Sequence, residues 1–112
     1  MKIYLDNSAT SWPKPATVIS AMTSYLSDYG GSPGRSGHQF AAKAAHEVFE
    51  TRELIASLFN CPAAERVMFS ANATHALNFA IKGVLNPGDH VIISHMEHNA
   101  VYRTVSFLAN EG

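Results

Sequence analysis

A single cysteine, Cys61, stands in a chain of 112 residues. No internal disulfide can form, which fits a reducing compartment. No apolar run comes near the ~18 residues that a membrane-spanning helix needs. Asp6 and Asn7 also interrupt the opening apolar segment too early for a secretory signal. Neither charge dominates: eight Lys and Arg meet nine Asp and Glu, for a net charge of -1. The basic residues are scattered, so the clustered footprint of a nucleic-acid partner is missing. The chain also lacks repeats, low-complexity tracts and linkers. These absences lead to the expectation of a cytoplasmic protein without a membrane or nucleic-acid partner.

What is present is the composition of a folded protein. Hydrophobic residues make up 46% and charged residues 15%, too apolar and too weakly charged for a disordered chain. The length suits one small domain. Ile3 to Leu5 reads as a strand or an ordered arm, and residues 1–14 as an N-terminal arm and loop. The prolines in Ser11-Trp12-Pro13-Lys14-Pro15 push their predecessors out of the helical region. A helix can start at Pro15, with Val18, Met22, Tyr25, Leu26 and Tyr29 at helical spacing. Gly30-Gly31 stops it, and an irregular Gly- and Pro-rich loop runs on to Gly37. A long helix is expected over about Phe40 to Phe59, ended by Asn60-Cys61-Pro62.

From Arg66 onward the pattern changes. Val67-Met68-Phe69 reads as a short buried strand, followed by a turn and a helix with Ala73, Leu77, Ala80, Ile81 and Val84 on one stripe. Asn86-Pro87-Gly88-Asp89 has proline and glycine where a type II turn wants them. His90 to Ser94 reads as a second strand, apolar on both faces. Asn99 can cap a last helix carrying Val101, Val105 and Leu108. Strand, helix, strand, helix is the order of parallel βαβ units, so the expected fold class is α/β with flanking helices. Two strands do not make a sheet, and the chain stops where a further strand is expected. Both points lead to the expectation of a piece of something larger.

Two loops could carry chemistry. Ser70-Ala71-Asn72-Ala73-Thr74 joins the first strand to a helix N-terminus, where unpaired N–H groups and the helix dipole favour an anion. Helix capping by Asn72 or Thr74 explains the same residues. Ser94-His95-Met96-Glu97-His98-Asn99 follows the second strand, where open α/β sheets bind ligands. A histidine there could stack on a planar cofactor or move protons; a surface loop with incidental histidines is the other reading. A zinc site built on His95 and His98 lacks further ligands, and the zinc-deaminase pattern fails for want of cysteines, so no metal is expected. Ser11-x-x-Lys14 would need a helix that Pro13 opposes. Arg35 and His38 could bind a carboxylate. Cys61 reads as structural.

In order along the chain, four segments resemble the class V aminotransferases, the fold-type I group that includes the cysteine desulfurases. They are Tyr4 to Thr10, Gly31 to His38, Phe69 to Thr74 running on through Asn78 to Gly83, and Met96 to Val101. The resemblance implies the start of a large domain that binds pyridoxal 5'-phosphate, over residues 15–112. Ala73 and Thr74 would hold the cofactor phosphate, through backbone N–H and hydroxyl. His98 would stack on the pyridine ring and act in proton transfer. The loops at Ser8 to Thr10 and Gly31 to His38 would line the site mouth.

The implied reaction takes sulfur from cysteine onto an enzyme thiol and leaves alanine. A homodimer and a sulfur-acceptor protein are implied as partners. His75 stands where many relatives have Glu. Lys82 does not match the Schiff-base lysine, nor Cys61 the sulfur-accepting cysteine. Those residues, and the Asp that pairs with the pyridine nitrogen, are expected beyond residue 112, so the 112-residue chain alone is expected to be inactive. Another class V aminotransferase or lyase, and a small non-catalytic α/β binding module, are the alternative expectations.

Overall fold

Residues 3–34 and 37–111 are described by a computed structural model. They form two compact units that divide after Val67.

The first unit opens on a tied loop. The Tyr4 hydroxyl donates to the Thr10 carbonyl at 2.8 Å, and the Trp12 N–H donates to Asn7 Oδ1 at 3.1 Å. Lys14 donates to the Thr10 hydroxyl and the Ser11 carbonyl. Helix α1 (Ala16–Ser24) starts after Pro15, whose fixed φ suits a helix entry. One π-helical turn, Tyr25–Tyr29, ends it at Gly30, where φ is 24°. Helix α2 (Gln39–Leu58) is capped by His38, whose Nδ1 accepts the Ala41 N–H at 3.3 Å. It ends through a bond from the Cys61 N–H to the Ala56 carbonyl, with Asn60 at positive φ between them.

Ala41, Ala44 and Ala56 form the buried face of α2. Gly31 lies against this helix so closely that a Cβ there would fall 2.5–2.6 Å from backbone atoms of Phe40 and Ala41. Lys43 Nζ stands 4.0 Å from the centre of the Tyr29 ring. Desolvation, then the carboxylates of Glu47 and Asp28, push the Tyr29 phenol above its ordinary ionisation range.

In the second unit, helices α3 (Ala73–Val84) and α4 (Asn99–Glu111) pack side by side. They run in the same direction. Thr74 at the start of α3 shares a cleft with His98 and Asn99 at the start of α4, and Lys82 near the end of α3 lies 5.3 Å from the Phe107 ring. Ala100 and Thr104 are the buried residues of α4. The Asn86 to Asp89 turn closes through the Asp89 N–H and the Asn86 carbonyl, with Gly88 at φ 88° as that turn requires.

The expected α/β class, with its parallel βαβ units, does not hold. Among the described residues the chain forms helices and no strand. Residues 67–69 and 90–94 are assigned to no strand among the described residues, and a strand is defined by the ladder it makes with a neighbour. Nor are they covered on both faces: Met68 is 83% and Ile92 89% exposed. Their apolar side chains still alternate, for Val91 and Ile93 line an apolar cleft of about 320 Å³ with Ile81 and Val105, while Ile92 points away. The continuous apolar run at Val91 to Ile93, read as a strand covered on both faces, forms no strand and is covered on one side.

Candidate active site

Helix α3 begins one residue after the small residues Ser70 and Ala71 have brought the chain to Asn72. Asn72 is extended, and its Oδ1 accepts the His75 N–H at 2.9 Å. Its carbonyl accepts the Ala76 N–H. That leaves the first two N–H groups of the helix, on Ala73 and Thr74, without a hydrogen-bond partner among the described residues, as is the Thr74 hydroxyl. Asn72 caps the helix and Thr74 does not.

His98 occupies the corresponding position on α4. Its carbonyl accepts the Val101 and Tyr102 N–H groups, and its Nδ1 accepts the Ala100 N–H at 3.1 Å. The cap expected of Asn99 belongs to His98, because Asn99 is already the first helical residue. Thr74, Asn78 and Lys82 line one side of a cleft of about 290 Å³, and His98, Arg103 and Phe107 line the other. Two cations and no carboxylate face this cleft, so its field favours an anion. Thr74 and His98 thus meet at the end where two helix N-termini lie together. Arg103 was missed in the sequence, although its spacing four residues before Phe107 and four after Asn99 puts it on the His98 side of α4.

Other candidates sit elsewhere. Cys61 Sγ lies 3.4 Å from the Ala63 carbonyl. His38 is engaged as the α2 cap, and Arg35 lies outside the described residues. His95 and His98 gather no third ligand, for among the described residues no group of three His, Cys, Asp or Glu could hold a metal ion. Lys14 reaches the Ser11 carbonyl and not its hydroxyl. None of the described helices is long and apolar enough to cross a membrane.

The family model for "Aminotransferase class-V" matches residues 3–112. The chain belongs to the class-V aminotransferase family. Among curated class-V proteins, the cysteine desulfurase IscS of Dechloromonas aromatica (strain RCB) is 36% identical over 117 residues, covering 100% of this chain and 28% of that protein. The IscS of Vibrio cholerae serotype O1 (strain ATCC 39541 / Classical Ogawa 395 / O395) is 38% identical over 118 residues, covering 100% of this chain and 29% of the relative. A probable cysteine desulfurase of Methanothermobacter thermautotrophicus is 30% identical over 99 residues, 88% of this chain and 24% of its own length. The chain therefore spans 24–29% of these relatives' length. No solved structure matches it. The resemblance to class V proteins and to cysteine desulfurases read from the four sequence segments holds.

Proposed function

We propose that this chain is the N-terminal part of a pyridoxal 5'-phosphate enzyme of the cysteine desulfurase type, within the cofactor-binding domain. The observation that carries this reading is the cleft in which Thr74 and His98 lie together at adjoining helix N-termini. Its donor set suits the cofactor: two unpartnered N–H groups and a hydroxyl at a helix N-terminus are what a phosphate dianion takes. Ala73 and Thr74 hold that phosphate, and the His98 ring lies against the pyridine. When bound, the cofactor supplies an electron sink for bonds at the substrate α-carbon. The chain's own residues bind and orient it, and Lys82 and Arg103 keep the cleft positive.

Cysteine as substrate, with alanine and an enzyme-bound sulfur as products, is part of this proposal and is supported by the relatives' name. A homodimer, a cytoplasmic location and a protein that accepts the sulfur are proposed with it. The lysine that links the cofactor lies outside this chain.

The test uses the protein from the complete reading frame. It should purify with a visible cofactor absorbance and release alanine and reducible sulfur from cysteine in equal amounts. A loaded protein that converts cysteine to pyruvate, ammonia and sulfide in place of alanine, or acts only on other amino acids, would leave a class-V enzyme of another specificity. A protein that takes up no cofactor would end the reading altogether.

A further inference from the structure

The cap on α4 fixes which atom His98 offers to the cleft. Nδ1 accepts the Ala100 N–H at 3.1 Å. A ring nitrogen accepts only when it carries no proton, and the neutral imidazole then carries its hydrogen on the other nitrogen. Ala100 is 5% exposed and its N–H bond to Nδ1 is half-buried. Nε2 has no hydrogen-bond partner among the described residues and is left for whatever enters. The bond reaches only two residues along the backbone, so the ring cannot turn over to exchange its nitrogens without losing it.

We propose that the α4 cap locks His98 as the Nε2–H tautomer, making it a stacking plate and hydrogen-bond donor toward the bound molecule and not a proton acceptor. This rests on the cofactor reading above and narrows it. A proton taken up by His98 would have to land on Nδ1, where it would face the Ala100 N–H donor directly. Two donors would then oppose each other and the first turn of α4 would lose its cap. Proton removal from the substrate therefore falls to another group, and the atom that meets Nε2 is an acceptor, an oxygen or sulfur lone pair.

The tautomer can be read directly. The protein from the complete reading frame is labelled with ¹⁵N-histidine, and two-bond ¹H–¹⁵N correlations are recorded with and without pyridoxal phosphate. The His98 signals are those lost in His98→Gln. The expected pattern is an unprotonated Nδ1 and a protonated Nε2 in both states, with a coupling across the hydrogen bond from the Ala100 amide nitrogen to Nδ1. A protonated Nδ1, an imidazolium at neutral pH, or two rapidly exchanging tautomers overturns the proposal. The spectrum of the unloaded protein keeps this outcome apart from a failure of the cofactor reading, which would appear as absent loading with the tautomer unchanged.

Discussion

Asn72 closes the first turn of α3 by taking the His75 N–H onto its Oδ1 at 2.9 Å. The same residue that ends the preceding loop thus frees Ala73 and Thr74 to face a ligand. Stability and phosphate binding can be separated here. Asn72→Ala should lower unfolding stability by about 1 kcal/mol, the usual worth of such a cap. Asn72→Asp keeps the acceptor and should leave the melting temperature of the unloaded protein within a degree or two. Its carboxylate would sit beside the proposed phosphate, so cofactor should leave faster on dialysis. If Asn72→Asp holds the cofactor as firmly as the parent, the anion does not bind at this turn.

Thr74→Ala removes one hydroxyl donor to a charged acceptor. Such a bond is worth about 1.5–3 kcal/mol, so cofactor retention should fall by roughly ten- to a hundredfold, with the visible band keeping its position. His98→Ala should instead shift or broaden that band. An unchanged spectrum and unchanged turnover in His98→Ala would remove the stacking role.

Gly31→Ala should destabilise the first unit, because the new methyl would overlap the Phe40 and Ala41 backbone at 2.5–2.6 Å. Backbone cannot yield as a flexible side chain does. A loss of about 1–3 kcal/mol is expected, in the range of overpacked sites. Chemical denaturation measures it, and a neutral result would mean the loop approaches α2 less closely.

Tyr29 should ionise above the ordinary phenol range in a spectrophotometric titration, since desolvation and the carboxylates of Glu47 and Asp28 raise its pKa. The folded state then holds its proton more tightly than the unfolded one. The corresponding stability is fully present below the unfolded phenol value of about 10 and is lost as pH rises through the higher folded value. Tyr29→Phe should flatten this alkaline decline while keeping the ring beneath Lys43. An equally steep decline in the variant would move the cause elsewhere.

Mixed with pyridoxal phosphate and reduced with borohydride, the 112-residue chain should label no single lysine. Lys14, Lys43 and Lys82 are each engaged, with the Ser11 carbonyl, the Tyr29 ring and the Phe107 ring. Lys2 lies outside the described residues. Stoichiometric labelling at one of the four would show that the linking lysine is in this chain.

The helices were legible in the sequence because their signals are local. Pro15, Gly30, the Asn60-Cys61-Pro62 stop after α2 and the Asn86 to Asp89 turn each act within a few residues of themselves. The two supposed strands were not, because a ladder depends on a partner that no local pattern contains; Val91, Ile92 and Ile93 show only an apolar run. Within the site, Ala73, Thr74 and His98 could be named from motif and position. The owner of each cap could not. Asn72 and His98 were chosen over Thr74 and Asn99 by where each helix begins, a boundary that sequence patterns fix only to within a residue or two.

The common direction of α3 and α4 has an electrostatic cost that an antiparallel pair would avoid. Each helix presents roughly half a positive charge at its N-terminus, and here both lie at one end of the same cleft, with Lys82 and Arg103 adding to them. Like poles held side by side push apart. The proposed phosphate at the α3 N-terminus, close to that of α4, would offset this repulsion, and a bound ligand would then act as an electrostatic rivet between the helices. Its binding and the integrity of the pair should rise and fall together, and inorganic phosphate alone should raise the melting temperature, an effect that salt of equal ionic strength would not reproduce.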